Sequence, residues 1–264
     1  MNYFTLWQEF YPFALYGVFL WSIYAYFQDK EKDTPKKKGS IPRKSPIILS
    51  LEGNIGSGKS TLLNEMEDWL GHNPRIAFLA EPVETWNSIV DADGTTILEK
   101  YYENQEKYAF AFQMLAYISR LALLREALKG DYDIIVTERS IYTDRNVFAQ
   151  MLHDDGKIGE MEYAIYLRWF DEFLPDLPPI KFVYINTNPM VAQERVQMRA
   201  RPGENIPLEY LENCHAYHKR WLHSTTENAV LKLDGNVDIE KCPEIVDDWL
   251  NEIDRFIEWK FLKK

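Results

Sequence analysis

Cysteine and positive charge are both scarce in this sequence. Its 264 residues include two cysteines, Cys214 and Cys242, without the paired spacing of metal-binding motifs. That usage excludes a disulfide framework and a structural zinc site, and it indicates a reducing compartment. Acidic residues outnumber basic ones by 41 to 30, which gives a net charge of −11. Because a broad nucleic-acid-binding face needs clustered Lys and Arg, we predict no nucleic-acid partner.

Charge is absent from one long run near the N terminus. Residues 10–27 contain no charged side chain but one Trp and four Tyr rings, which are typical of membrane interfaces. As a helix this run would extend about 27 Å, close to the thickness of a bilayer core. We predict that residues 1–28 form a transmembrane signal anchor with the catalytic domain in the cytosol. The alternative is an aromatic segment that packs on a partner or lies in the membrane interface, and without insertion the protein would be soluble in the cytosol.

Residues 29–45 mix Lys, Asp, Pro, Gly and Ser and predict a charged linker. In residues 46–264, short apolar runs alternate with stretches long enough for helices. This alternation predicts an α/β fold with a five-stranded parallel sheet flanked by helices. Apolar residues at helical spacing predict one long helix over residues 106–129. The predicted strands are PIILSLE, RIAFLAE, YDIIVTE, IKFVYIN and AVLKLDG.

A glycine-rich loop follows the first predicted strand. The stretch GNIGSGKS fits G-x-x-x-x-G-K-[ST] and lies between a predicted strand and a predicted helix, as a P-loop requires. Such a loop binds the phosphates of a nucleoside triphosphate, with Lys59 neutralising the outer phosphates and Ser60 ligating Mg²⁺. The motif does not name the phosphate acceptor. The predicted ATP-binding residues of the loop are Gly53, Asn54, Ile55, Gly56, Ser57, Gly58, Lys59, Ser60 and Thr61.

Charged side chains follow the next two predicted strands. Ligands of parallel α/β folds bind at the carboxyl ends of the strands, where Glu81 and Glu138 fall. Glu81 is a candidate general base for an attacking hydroxyl. Glu138 would hold Mg²⁺, and Arg139 would steady the acceptor. The alternatives are a strand-end surface charge and a surface salt bridge.

Basic residues cluster again in ERVQMRAR, before the helix-breaking PGEN. Arg195 and Arg199 are four residues apart on one predicted helix, and Arg201 follows. Three guanidiniums on a flap could close over the triphosphate and offset the charge that develops during transfer. The alternative is a solvated basic helix end, favoured by the helix dipole.

These motifs together resemble the deoxynucleoside kinase family, which includes the deoxycytidine, deoxyguanosine and mitochondrial thymidine kinases. The resemblance covers residues 46–234 and rests on GNIGSGKST, EPVETW, YAFAFQ, ERSIYTDR, RARPGENIPLEYL and LKLDG. It implies a P-loop kinase fold, ATP as donor, Mg²⁺ as cofactor and a homodimer. It also implies that Glu81 is the general base for the sugar 5′-hydroxyl and that Arg139 assists it.

The same resemblance implies a deoxynucleoside site. Gln113 would hydrogen-bond the base edge, Tyr102 and Glu204 would bind the 3′-hydroxyl, and aromatic side chains would enclose the base. Tyr101 is bulkier than expected beside the base, and the loop RPGENIP is shorter than usual. The implied substrate-binding residues are Trp86, Tyr102, Phe112, Gln113, Arg120, Asp144, Phe148 and Glu204.

Base preference depends on Arg120 and Asp144. Relatives that phosphorylate deoxycytidine or purine deoxynucleosides resemble this chain at both positions. A charged pair at the back of the pocket would favour an exocyclic amino group and leave no room for a thymine methyl group. We therefore expect ATP-dependent phosphorylation of deoxycytidine or purine deoxynucleosides rather than thymidine. The alternatives are a nucleoside monophosphate kinase and a non-catalytic, membrane-tethered nucleotide-binding protein.

Residues of metal-binding types also occur close together in one predicted helix. Cys214, His215 and His218 lie on one predicted helix, but the sequence contains no further ligands at zinc-like spacing. We interpret them as helix-surface residues.

Overall fold

The computed structural model describes residues 45–201, 204, 206–226, 229–237, 239 and 241–258. The predicted membrane anchor, residues 1–28, lies outside this set, as does the predicted linker apart from its last residue. Among the residues that are described, no helix combines the length and apolar character needed to cross a bilayer.

Five parallel strands form a single sheet in the order β2-β3-β1-β4-β5. Each strand coincides with one of the five apolar runs, as expected for a parallel sheet covered on both faces. In register, Leu51 lies opposite Glu138 and Gly53 lies opposite Ile185. The predicted five-stranded parallel sheet is confirmed. The strands are β1 (Ile47–Gly53), β2 (Ile76–Leu79), β3 (Ile134–Glu138), β4 (Ile180–Asn186) and β5 (Val230–Asp234).

The helices lie between the strands and after the last one. The long predicted helix is confirmed as α4, whose start is capped by Asn104, because the Asn104 side chain accepts a hydrogen bond from the backbone N–H of Lys107. The helices are α1 (Lys59–Leu70), α2 (Val83–Asn87), α3 (Ile97–Glu103), α4 (Gln105–Ala127), α5 (Ile141–Thr143), α6 (Gln150–Asp154), α7 (Glu160–Phe173), α8 (Pro189–Arg199), α9 (Leu208–Ser224) and α10 (Glu244–Ile257), with a π-helix over Asp144–Ala149 and a 3₁₀ turn over Leu174–Asp176.

Helices cover both faces of the sheet. On one face, Leu62 of α1 and Trp249 of α10 belong to the same buried cluster as Leu51. On the other face, Leu124 of α4 and Leu222 of α9 pack with buried strand residues. The polar loops that follow β1, β2 and β3 therefore meet at the carboxyl edge of the sheet, where ligands bind in folds of this class.

Candidate active site

The loop between β1 and α1 has the backbone geometry of a phosphate cradle. Gly53, Gly56 and Gly58 all have positive φ angles, of 147°, 76° and 95°, which residues with side chains rarely adopt. A Cβ atom on Gly53 would lie 2.6 Å from the carbonyl oxygen of Ile185, so no side chain fits there. Such turns curl backbone N–H groups around an anion, and the N terminus of α1 adds partial positive charge.

Lys59 is buried beneath this loop. Its Nζ donates to the carbonyl oxygen of Asn54 at 2.6 Å and lies 3.5 Å from Ser57 Oγ. Burial lowers the pKa of Lys59 to about 7, and the positive charge of Arg139 acts in the same direction. A bound triphosphate would supply the opposite charge and favour the ammonium form.

Ser60 and Glu138 come together beside the loop. Ser60 is the second residue of α1 and Glu138 is the last residue of β3, and Ser60 Oγ donates to Glu138 Oε1 at 2.7 Å. Hydroxyl and carboxylate oxygens are ligands that Mg²⁺ accepts, in a site otherwise completed by water and substrate phosphates. The two side chains therefore fit the predicted magnesium site.

Glu81 lies between two arginines. Its Oε1 is 3.2 Å from Arg120 Nη2 and 3.3 Å from Arg139 Nε. Burial raises the pKa of the Glu81 carboxyl, but the charges of Arg139, Arg120 and Lys59 outweigh burial and hold the pKa below its ordinary value. Glu81 is thus an ionised carboxylate at neutral pH, the form that a general base requires.

Arg139 is held from several sides in an unusual backbone conformation. Its φ is +63°, and its side-chain Nη1 donates to the carbonyl oxygen of Gly53 at 2.8 Å. The guanidinium lies over the ring of Phe148, with 5.0 Å from Cζ to the ring centroid. Left-handed residues other than glycine and asparagine persist where surrounding contacts determine them, often at functional sites.

The predicted pair of Arg120 and Asp144 forms an ion pair. Arg120 Nε lies 3.0 Å from Asp144 Oδ2, and Arg120 Nη1 donates to the carbonyl oxygen of Glu138 at 2.7 Å. Asp144 opens the π-helix that also contains Phe148. Because Arg120 contacts both Asp144 and Glu81, the residue pair predicted to bind the nucleobase and the candidate general base share one buried network.

A row of aromatic rings forms the wall of the acceptor pocket. Trp86 and Phe112 pack edge to face at 5.4 Å, and Phe112 stacks on Tyr101 at 4.7 Å. The buried Tyr101 phenol shares a 2.9 Å hydrogen bond with Tyr210, whose role the sequence analysis missed. Gln113 Oε1 is buried without a hydrogen-bond partner among the described residues, which suits an atom that binds a ligand.

The arginine flap reaches the cavity, although two of its guanidiniums contact protein groups. Arg195 donates to the carbonyl oxygens of residues 235 and 237, at 2.8 and 3.1 Å. Arg199 Nη2 lies 2.5 Å from Glu204 Oε2. Arg201, Tyr102 and Glu204 all line the cavity. Residues 202, 203 and 205 of the flap loop lie outside the described residues.

One cavity of about 1190 Å³ joins these parts. The predicted residues outside its lining are Gly53, Asn54 and Ser57. Asn54 serves the fold, since its Nδ2 donates to the carbonyl oxygen of Leu211 in α9 at 2.8 Å. Every other predicted site residue lines the cavity, namely Ile55, Gly56, Gly58, Lys59, Ser60, Thr61, Glu81, Trp86, Tyr102, Phe112, Gln113, Arg120, Glu138, Arg139, Asp144, Phe148, Arg195, Arg199, Arg201 and Glu204.

The surface interpretation of Cys214 and His218 is wrong. Both are fully buried, because residues 211, 214, 218 and 222 form one stripe of α9 and this stripe faces the protein interior. His218 Nδ1 lies 2.7 Å from the carbonyl oxygen of Cys214, and its ring stacks on Tyr184. Within the described part of the chain, no group of three acidic, His or Cys side chains could hold a metal.

One cavity combines a phosphate cradle, a carboxylate that is ion-paired with two arginines, and an aromatic pocket. This combination defines a P-loop phosphotransferase that acts on a small acceptor. The chain belongs to the deoxynucleoside kinase family, whose family model matches residues 49–258. It is therefore an enzyme, a kinase that phosphorylates deoxynucleosides. The predicted family and class of reaction are confirmed.

Relatives of known name support this assignment. A probable deoxycytidine kinase of fowlpox virus is 34% identical over 198 residues, 72% of this chain and 79% of the relative. Deoxycytidine kinase 2 of Gallus gallus is 33% identical over 244 residues, 79% of this chain and 89% of the relative. Mitochondrial thymidine kinase 2 of Macaca fascicularis is 32% identical over 201 residues, which cover 75% of this chain and 69% of the relative. Relatives with different named substrates thus match about equally well.

Proposed function

We propose that this enzyme transfers the γ-phosphoryl group of ATP to the 5′-hydroxyl of deoxycytidine and purine deoxynucleosides, producing 5′-monophosphates for nucleotide salvage. The observation that carries the proposal is the position of Glu81. It is an ionised carboxylate in the same cavity as Lys59 of the phosphate cradle and Gln113 of the aromatic pocket.

Proton transfer in the proposed reaction is assigned to Glu81. As the sugar oxygen bonds to the γ-phosphorus and the bond to the bridging oxygen of ADP breaks, Glu81 accepts the hydroxyl proton. Arg139, 3.3 Å from Glu81 Oε1, orients the carboxylate and stabilises its charge. Lys59 offsets negative charge on the outer phosphates. Mg²⁺ held by Ser60 and Glu138 would add positive charge to the β- and γ-phosphates.

The preference against thymidine rests on the Arg120–Asp144 ion pair. Asp144 has 1% exposed surface and Arg120 has 6%, so neither charge is screened by bulk water. A carboxylate and a guanidinium fixed at the back of the pocket favour a base with an exocyclic amino group. They offer no apolar space for the thymine methyl group.

An acceptor without a phosphate group suits this pocket better than a nucleoside monophosphate. A monophosphate would need free basic side chains on the acceptor side. Arg120 is already paired with Asp144 and Glu81. Arg145, the other arginine near the pocket in sequence, lies 3.5 Å from Asp171 and is absent from the cavity lining.

A substrate panel tests the proposed function. Full-length protein is incubated with Mg²⁺, γ-labelled ATP and each of the four deoxynucleosides, with thymidine monophosphate and deoxycytidine monophosphate in parallel. We expect labelled 5′-monophosphates, with deoxycytidine or a purine deoxynucleoside turned over faster than thymidine. Label transfer to the monophosphates alone would indicate a nucleotide kinase. ATP binding without any turnover would indicate a nucleotide-binding protein.

We also propose membrane anchoring by residues 1–28, with the kinase domain in the cytosol. The support is the uncharged run over residues 10–27, which contains one Trp and four Tyr and is followed by basic residues. Residues 1–44 fused to a soluble reporter should stay in the membrane pellet after a carbonate wash. Release of the reporter into the supernatant would contradict the anchor.

A homodimer is the proposed assembly, supported by an apolar stripe on α7. Met161, Ile165 and Trp169 are spaced four residues apart and are 77%, 45% and 47% exposed. Such a stripe on a helix surface is typical of a protein–protein interface. Light scattering should give a dimer mass for the wild type and a monomer mass for Ile165→Glu. A monomeric wild type would contradict the proposal.

A further inference from the structure

Glu52 is a carboxylate buried within the central strand. It is the next-to-last residue of β1 and has no exposed surface. Three hydroxyl groups donate to it: Ser50 and Ser140 to Oε1, at 2.7 and 2.6 Å, and Thr143 to Oε2. Burial raises the pKa of Glu52 above its ordinary value, and these donors and the charge of Arg139 offset only part of that rise. Burying such a group is unfavourable, so its contacts need an explanation.

Two of the three donors belong to the segment that carries site residues. Ser140 directly follows Arg139, and Thr143 directly precedes Asp144. The short helix α5, Ile141–Thr143, lies between them. The two oxygens of one carboxylate therefore hold both ends of α5. Ser50, in contrast, belongs to β1 itself and does not connect Glu52 to this segment.

The backbone of β1 holds the same segment. The carbonyl oxygen of Leu51 accepts a hydrogen bond from the backbone N–H of Arg139 at 3.0 Å, and that of Gly53 accepts one from Arg139 Nη1 at 2.8 Å. Three consecutive residues of the strand thus fix the left-handed turn at Arg139. The carboxylate is the side-chain member of this set of contacts.

We propose that Glu52 is a positioning residue for phosphoryl transfer, which fixes Arg139 against Glu81 and Asp144 against Arg120. The inference rests on the catalytic roles proposed for Glu81 and Arg139. Glu52 itself does not line the cavity. A displacement of about 1 Å at a reacting group can reduce turnover by about a hundredfold, so small shifts of this segment would be costly.

Two substitutions test the inference. Glu52→Gln replaces one acceptor oxygen by an NH₂ group, and Ser50→Ala removes the donor that does not reach the α5 segment. We expect kcat of Glu52→Gln to fall by about ten- to a hundredfold, with KM for ATP almost unchanged. Ser50→Ala should keep the wild-type kcat within about twofold, since Ser50 lies in β1 and its contact does not hold the segment that carries Arg139 and Asp144. Thermal unfolding of each variant shows whether a fall in kcat follows loss of fold.

The pH profile separates positioning from general loss of structure. Glu81 faces Arg139, Arg120 and Lys59, and Asp144 lies on the far side of Arg120. If Arg139 moves away, Glu81 loses favourable charge and its pKa rises. The acid limb of kcat/KM should therefore move to higher pH in Glu52→Gln and stay in place in Ser50→Ala. A variant that merely contains less folded enzyme would keep the wild-type limb.

Companion variants make the result decisive. Should Glu52→Gln fail to fold, Ser140→Ala and Thr143→Val remove the same contacts from the loop side, and normal kcat and pH limbs in both would overturn the inference. It would also be overturned if Glu52→Gln matched Ser50→Ala while Arg139→Ala lost turnover. Normal turnover by Arg139→Ala and Glu81→Gln would instead remove the proposed catalytic roles on which the inference rests.

Discussion

The donor half and the acceptor half of the cavity are built differently. The donor half is built around one continuous stretch, residues 53–61, whose backbone turns and helix N terminus have the geometry of a phosphate cradle. The acceptor half combines side chains from distant elements: Glu81 follows β2, Arg120 lies in α4 and Asp144 opens the π-helix. One half depends on local backbone geometry, and the other depends on how the whole fold packs.

This difference determines which changes each half tolerates. A backbone cradle loses function when one of its glycine turns, or the Lys–Ser pair of its motif, is altered, whatever residues lie elsewhere. A buried ionic network fails when any one member is removed, because its partner is left charged and unpaired. Substitutions in the donor half should therefore reduce ATP use, and those in the acceptor half should change rate, specificity and pH dependence.

The largest effect is expected in the acceptor half. Glu81→Gln should reduce kcat by at least about a hundredfold, because the amide cannot accept the hydroxyl proton. ATP affinity should change little, since the phosphate cradle is intact. Glu84→Gln, an exposed residue of the same segment, serves as the matched control. Steady-state kinetics measure both variants, and near-normal turnover by Glu81→Gln would remove it from the role of base.

The donor half is tested by Lys59→Met. This change should reduce kcat/KM for ATP by about a hundredfold, as expected when one charge-stabilising donor is lost. Binding of deoxycytidine, followed by intrinsic tryptophan fluorescence, should remain close to wild type because Trp86 and Gln113 are untouched. Lys129→Met, on the protein surface, is the control. Equal loss of deoxycytidine binding would show that the two halves are not separable.

The donor half was also easier to predict from sequence. A P-loop motif is local, so the stretch from Gly53 to Thr61 specifies its own shape and its place between a strand and a helix. The apolar runs predict the parallel strands, and the carboxyl ends of parallel strands bring Glu81 and Arg139, which follow two of those runs, to one edge of the sheet. These parts needed no knowledge of side-chain packing.

The parts that escaped prediction depend on contacts between distant elements. To predict the contact between Arg120 and Glu81, one must know how α4 is positioned along the sheet. The spacing of its apolar residues does not fix that position to within one helical turn. The left-handed turn at Arg139 carries no glycine signal. Glu52 had a weak signal, a carboxylate inside an otherwise apolar strand. Cys214 and His218 were misjudged because α9 packs a mixed stripe, rather than an apolar one, against the interior.

Specificity should change when the buried charged pair is removed as a unit. Arg120→Met combined with Asp144→Ala removes both members of the pair, leaves Glu81 its contact with Arg139, and opens apolar space at the back of the pocket. We expect the ratio of kcat/KM for thymidine to that for deoxycytidine to rise about tenfold or more, the range for a changed pocket contact. The matched control is Arg145→Met with Asp171→Ala, an ion pair outside the cavity lining. An unchanged ratio would contradict the role of Arg120 and Asp144 in base selection.

A smaller effect is expected in the pH dependence of kcat/KM, on its acidic side. Because the pKa of Glu81 is held below its ordinary value, the carboxylate stays ionised as the pH falls through the ordinary pKa of glutamate, about 4.3. Activity is present above the lowered pKa and is lost as the pH falls through it. We expect kcat/KM of the wild type to stay near its maximum down to about pH 4.3, the ordinary pKa of glutamate, with folding checked by circular dichroism at each pH. An acid limb near neutral pH would show that the two arginines do not stabilise the charged form of Glu81.

The smallest effect should come from the Tyr101–Tyr210 contact, which joins the aromatic wall of the acceptor half to α9. Tyr210→Phe leaves the buried Tyr101 phenol without its 2.9 Å partner, and loss of one buried hydrogen bond lowers the free energy of unfolding by about 1–3 kcal/mol. Tyr217→Phe removes a more exposed hydrogen bond, from its hydroxyl to Asp154, and should cost less because water replaces the lost partner. Urea unfolding compares the two variants. If both variants lose the same free energy of unfolding, the Tyr101–Tyr210 contact contributes no more than an ordinary surface interaction. The acceptor half would then depend less on packing between distant elements than we infer from the elements that supply its side chains.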